Sequence, residues 1–298
     1  MEQNQNKESA IAQVKHQELS RLDQGCHAWT AGMLEAALLE RFPASDAEAW
    51  DRTGLLVGDP DQKITGIAIA LDPTVNAVRA AKAHGANVLL THHPVFIEPP
   101  ASFHPLGADS FGPGSVVWEA ISSGVALMNF HTTLDVSAEA ARMLPGFLGL
   151  DYLGIVEPAT DDGRGYGQLC RIRESDDPMT LRNLAARCLS VFGRQPRVWG
   201  AQDTRITSVV TCTGSAGGLV EKSALAGFDC LICGECRYHN VLAASETGLC
   251  VIELGHDVSE LGLCAILATT TVSVGIPESA LVILDQGGNW FTPEAVRK

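Results

Sequence analysis

A chain of 298 residues, 46% hydrophobic and 19% charged, has the balance of a folded globular protein and room for one large α/β domain or two modest ones. Its formal charge of −14 argues against phosphate-backbone binding as the main activity, because that affinity comes from Lys and Arg, so nucleic acid is not an expected partner. No apolar run is long enough for a membrane span and the first residues lack the apolar core of an export signal, so the expected setting is cytoplasmic, with the nine cysteines reduced.

Residues 1–28 are rich in Gln, Asn, Lys and Glu and read as a flexible N-terminal extension ahead of one folded domain at 29–298. Met33, Leu34, Ala37, Leu38 and Phe42 recur at helical spacing and predict an amphipathic helix, ended by Pro43. In the loop Trp50-Asp51-Arg52-Thr53-Gly54, Asp51 reads as a turn residue, with a hydrogen bond near a site as its other role. Residues 64–71 then read as a strand. Asp72-Pro73 places a capping carboxylate ahead of a proline at the first helical position, and Val75, Val78 and Ala81 carry that helix to Gly85. The next strand, at 86–90, is apolar on both faces, which predicts a parallel sheet covered by helices. It runs directly into Thr91-His92-His93-Pro94. A Gly- and Pro-rich loop, a helix at 115–123 and a strand at 125–130 then lead to His131 and Asp135.

Residues 150–203 read as a smaller connecting segment. It holds a turn at Gly163-Arg164-Gly165-Tyr166-Gly167, a helix at 181–192 and a strand near Val198. From 204 onward the first pattern repeats: Gly85 aligns with Gly227, Val88-Leu89-Leu90 with Cys230-Leu231-Ile232, and His92-His93 with Gly234-Glu235. This predicts an α/β fold of two similar lobes with largely parallel sheets. Lobe one is 29–149 with part of the C-terminal region, and lobe two is 204–298.

Ligands collect at the carboxyl ends of strands in open parallel sheets. His92, His93, Asp135, His256 and Glu260 all fall at or just behind such ends, and Asp135 and Glu260 each follow a strand-ending histidine by one helical turn. Three imidazoles and two carboxylates suit Zn, Mn or Fe better than Ca or Mg, which prefer all-oxygen shells. Five side chains exceed the needs of one open tetrahedral zinc and suit two divalent metals about 3.5–4 Å apart. His131, Glu235 and His239 lie close in sequence to this set. They fit equally as groups that orient ligands or move protons and as structural residues that hold the loops. Cys230-x-x-Cys233-x-x-Cys236 also has ligand spacing, but no fourth cysteine is near in sequence, and core packing is the better account of Cys230.

Together these segments resemble the GTP cyclohydrolase I type 2 homologue family, also called the Nif-three-like dinuclear metal-binding proteins. The resemblance is carried by Trp50-Asp-x-x-Gly54-Leu-x-Val57-Gly58, Thr91-His-His-Pro94, His131-Thr-x-Leu-Asp135, Gly163-Arg-Gly, Gly234-Glu235-x-x-x-His239 and Gly255-His256-x-x-x-Glu260. It implies metal ligation by His92, His93, Asp135, His256 and Glu260, with the dinuclear site in the cleft between two lobes of a homohexamer. The family's name implies attack of a metal-bound water on a guanine ring. The expected function is therefore a metal-dependent hydrolase that uses a metal-bridging hydroxide on a nucleotide or similar small metabolite. The alternative is a non-catalytic metal-handling or regulatory protein built on the same site. The N-terminal extension and the Cys230–Cys236 stretch depart from the family pattern, and neither removes a ligand.

Overall fold

The structure, a computed structural model, describes residues 28–107, 110–176 and 178–291. The extension expected over residues 1–28 lies outside them but for Ala28. In chain order the strands are β1 (Gly54–Val57), β2 (Ile67–Ala70), β3 (Val88–Thr91), β4 (Ala126–Asn129), β5 (Asp151–Pro158), β6 (Gly165–Arg171), β7 (Met179–Thr180), β8 (Arg197–Trp199), β9 (Arg205–Ile206), β10 (Ser208–Thr211), β11 (Cys230–Cys233), β12 (Cys250–Glu253) and β13 (Leu281–Ile283). The α-helices are α1 (Ala31–Leu39), α2 (Val75–Ala83), α3 (Pro113–Ser123), α4 (Thr132–Asp135), α5 (Ala140–Leu148), α6 (Leu181–Phe192), α7 (Leu219–Leu225), α8 (Tyr238–Ser245) and α9 (His256–Ser273). Among the described residues no helix is long and apolar enough to cross a membrane.

The described chain forms two compact units, 28–131 with 267–284, and 132–266 with 285–291. The first holds a five-stranded sheet in the order β1-β4-β3-β2-β13, parallel throughout except for β1 at one edge. Its inner strands are buried on both faces, as their continuous apolar runs require. Ala68, Leu89 and Leu127 stand in register across β2, β3 and β4 and pack against Val78, Ala81, Val116 and Ala120 of α2 and α3. Full burial of a side chain such as Leu89 or Val78 contributes about 1.5–3 kcal/mol.

One local expectation is corrected here. Thr74, not Asp72, caps α2: its Oγ1 accepts the Ala77 N–H at 3.0 Å, and the helix begins at Val75, beyond Pro73. The Asp72 carboxylate is engaged elsewhere, as described below. The other helix boundaries follow the sequence closely, and α3 ends where Gly124 turns left-handed at φ 68°.

The second unit carries the six-stranded sheet β5-β6-β10-β11-β12-β8 and the small ribbon β7-β9. Its centre, β10-α7-β11-α8-β12, is wound as β2-α2-β3-α3-β4 is, with all three strands parallel. Val210, Leu231 and Val251 form the in-register layer against Leu219, Val220, Val241 and Ala244. Antiparallel strands close the sheet on both sides, through β6 and β8. Cys230 is fully buried within it.

Asp229, just before β11, ties this sheet to the preceding turn. One of its carboxylate oxygens accepts the Thr207 and Ser208 N–H groups, both at 2.8 Å, and their hydroxyls at 2.7 and 3.0 Å. Burial pulls the carboxyl pKa up, but these bonds outweigh it and hold the group below its ordinary 3.8. A depressed folded-state pKa gives stability that is present above the ordinary value and lost as pH falls through the folded one. Asp229→Asn is therefore expected to lower stability by about 1 kcal/mol at neutral pH. Urea midpoints measured from neutral pH down to about 3 should show that difference shrinking below pH 4.

Candidate metal centre

In the first unit the backbone ladder between β2 and β3 continues past the strand ends. The His92 N–H donates to the Ala70 carbonyl at 3.3 Å and the His93 N–H to the Leu71 carbonyl at 3.0 Å. The Thr91 hydroxyl donates to the His93 carbonyl at 2.7 Å and fixes the turn before Pro94. On the neighbouring strand, β4 ends two residues before His131. His92, His93 and His131 consequently pack ring against ring, with centroids 4.8–5.5 Å apart. One potential ligand atom from each lies within 4.8 Å of the other two.

Each of these rings has its Nδ1 set against an oxygen that can only accept. His92 meets the Phe130 carbonyl at 3.1 Å, His93 meets Asp72 Oδ1 at 2.7 Å, and His131 meets Asp51 Oδ1 at 3.1 Å. The Nδ1 atoms therefore carry protons, and Nε2 is the ring nitrogen through which each could ligate. This is the orientation that second-layer partners impose on metal-ligating histidines. Asp51, whose side chain is fully buried and also accepts the Arg52 N–H at 2.7 Å, is thus a partner of His131 and not merely a turn residue.

The second unit gathers a different donor set. His256 and Glu260 open α9 one turn apart, and Asp135 closes the short α4. Ligand atoms of Asp135 and His256 each lie within 4.8 Å of one from Glu260. His256 Nδ1 donates to Glu235 Oε1 at 3.1 Å and its Nε2 faces Glu260 Oε2 at 3.2 Å, so the ring is held between two carboxylates. A divalent ion ligated by both side chains would hold them at the same spacing as a shared proton does. Gly214 makes room for this carboxylate, since a β-carbon there would collide with Glu260 Oε1, and its φ of 56° disfavours any other residue. Burial pushes the nearby Cys212 thiol up and the Asp135 and Glu260 carboxylates push it further, so it remains a protonated thiol.

The five expected ligands thus fall as two in the first unit and three in the second, each set with imidazole or carboxylate donors grouped behind strand ends. Of the three neighbours, His131 joins the imidazole group itself and Glu235 orients His256. His239 does neither. It packs on Tyr238 and lines a 300 Å³ cavity with Glu221 and Asn240, and it belongs to no potential ligand group among the described residues. Asp72, as a partner of His93, and Gly214 escaped the sequence reading, and Asp51 takes the less favoured of its two expected roles. Asp72 had the same signal as His92, a polar residue at the carboxyl end of a parallel strand.

An α/β protein with parallel-rich sheets and imidazole–carboxylate donor groups behind its strand ends is the class that fold and donors define. The family model Duf34/NIF3 (NGG1p interacting factor 3) matches residues 30–273, so the chain belongs to that family. It is 31% identical over 233 residues to a GTP cyclohydrolase 1 type 2 homolog of Streptomyces coelicolor, spanning 76% of this chain and 80% of that one. A protein of the same name from Clostridium acetobutylicum is 30% identical over 222 residues, or 74% and 81% of the two chains. Among solved structures, a hypothetical protein of Staphylococcus aureus superposes with a TM-score of 0.76 at 22% identity, covering 89% of this chain and 99% of that one. A Bacillus cereus protein related to NIF3 gives 0.75 at 17% identity, covering 86% and 96%. These two likenesses establish the fold.

Asp72 and Gly214 allow the two donor sets to be tested separately. Asp72→Ala, which frees the His93 ring, and Gly214→Ala, which displaces Glu260, should each weaken metal affinity on the order of tenfold or more with unchanged far-UV circular dichroism. Calorimetric titration of each variant with manganese measures the loss.

Proposed function

We propose that the protein holds two divalent ions, Zn, Mn or Fe, and acts as a metal-dependent hydrolase on a nucleotide or similar ring-bearing metabolite. The observation that carries this reading is the orientation of the imidazoles: four histidines each set Nδ1 against a carbonyl or carboxylate oxygen, which leaves Nε2 as the nitrogen that would ligate a metal. His92, His93, Asp135, His256 and Glu260 are the proposed ligands, with His131 beside them.

His92, His93, Asp135, His256 and Glu260 would hold the ions, and bound metal would supply an acidified water and polarisation of the scissile bond. The remaining work belongs to the chain. Asp72 holds the His93 Nδ1 proton and also lines a 470 Å³ cavity with Thr74, Asn76, Val95, Leu106 and Val116. Apolar walls with a few polar groups suit a heterocycle whose edge is read by hydrogen bonds, and the volume is that of a small-metabolite site. The name carried by the relatives points to a guanine nucleotide as the first substrate to try. Asp51 and Glu235 keep His131 and His256 in one orientation, so the donors need not reorganise as charge develops.

His92→Ala/His93→Ala should lose most of its bound metal, read by elemental analysis, while the sheet's circular dichroism stays unchanged. Full occupancy in that variant would overturn the assignment. Metal-replete protein should hydrolyse at least one member of a nucleotide and phosphoester panel that metal-stripped protein leaves intact. If the two behave identically, and the ions pass readily to a chelating acceptor, the site handles metal and the hydrolase reading fails.

A further inference from the structure

The sulfurs of Cys233 and Cys236 stand 3.1 Å apart, and neither is in a disulfide. Cys233 is the last residue of β11 and fully buried, whereas Cys236 lies in the loop before α8 and is partly exposed. Among the described residues no third potential ligand closes on the pair, so it does not form a metal cage. The Cys236 N–H donates to Glu253 Oε1 at 2.9 Å, and Glu253 also holds Arg197 and the Trp199 indole N–H. The Arg197 guanidinium, paired with Glu253, lies within electrostatic reach of both thiols. The hydrogen bond with Cys236, together with burial, pushes the Cys233 thiol well above its ordinary range.

We propose that Cys233 and Cys236 form a reversible disulfide, a redox-modification site adjoining the Glu235 carboxylate that orients His256. The oxidant is a low-molecular-weight disulfide. The accessible Cys236, as thiolate, attacks one sulfur of that disulfide; its S–S bond breaks, and the departing thiolate takes up a proton. Cys233 then gives its proton to solvent and attacks the Cys236 sulfur, expelling the second small thiol. Two electrons and two protons leave the protein, one disulfide forms and one is reduced to two thiols. Excess small thiol reverses the exchange.

Closure brings the sulfurs from 3.1 Å to a bond of about 2.05 Å, and the intervening Gly234-Glu235 cannot move alone. The Glu235 N–H donates to the Gly214 carbonyl at 2.9 Å, the Ala216 N–H to the Glu235 carbonyl at 3.0 Å, and the Gly255 N–H to the Gly234 carbonyl at 2.9 Å. Gly214 and Gly255 are the residues that make room for Glu260 and precede His256. Oxidation therefore loosens the hold on the His256 ring and weakens metal binding. This consequence rests on the metal reading above; the disulfide does not.

The full chain, equilibrated in glutathione buffers of graded ratio, alkylated and peptide-mapped by mass spectrometry, tests the proposal. Oxidising buffers should yield one Cys233–Cys236 cross-link that excess dithiothreitol removes. Cys233→Ser should trap glutathione on Cys236, and Cys236→Ser should leave Cys233 unmodified. Two thiols that stay open to alkylation at every ratio, or a wild-type chain that stops at a glutathione adduct on Cys236, would overturn the site whatever the metal content. Manganese, which thiolates bind poorly, should bind the oxidised chain on the order of tenfold more weakly than the reduced one. Equal manganese affinity overturns the link to His256.

Discussion

The parallel register of β3 on β4, with Thr91 opposite Asn129, is the constraint on which the imidazole cluster depends. It sets His92 alongside Phe130, so that the first residue past one strand can bond the carbonyl just past the other. A slip of one residue would invert every side chain on the moving strand, turning the cluster away and burying its polar edges. The same register aligns Leu89 with Leu127 under α2 and α3. The core that makes the sheet stable and the cluster that makes it chemical are therefore fixed by one pairing.

Orientation of the rings then follows from acceptors that come from elsewhere in the chain. A lone imidazole at a strand end can rotate and swap tautomers; one held at Nδ1 by a carbonyl or carboxylate cannot. The second unit uses the same logic with Glu235 in place of Asp51 and Asp72, on a β-α-β-α-β core of the same winding. The acidic character of the whole chain is consistent with residues whose business is with cations.

Most elements were legible because their causes are local. Apolar runs marked the buried strands, glycines marked the helix ends, and α6 falls where its spacing placed it. The strand-end histidines and carboxylates were legible for the same reason. What the sequence hid was pairing at a distance. Asp72 looked like a helix cap because Asp-Pro is a good local signal, yet Thr74 satisfied the helix and left the carboxylate for His93. Asp51 and His131 are 80 residues apart, and no local pattern joins them. The positions of β5, β6 and β8 beside β10 and β12 are likewise decided by packing and not by their own composition.

The far end of the chain supplies β13, which pairs with β2 in the first unit after the whole of 132–266 has gone by. On the ribosome, β2 emerges early and waits with one row of backbone donors and acceptors open until residues 281–283 are made. An open parallel edge is the part of a nascent sheet most prone to wrong partners. The inserted unit, whose sheet draws only on residues 151–253, has all its strands in hand well before the first unit has its last. Translation thus leaves the sheet that begins first to be completed last, and truncation near the C-terminus would damage the N-terminal unit.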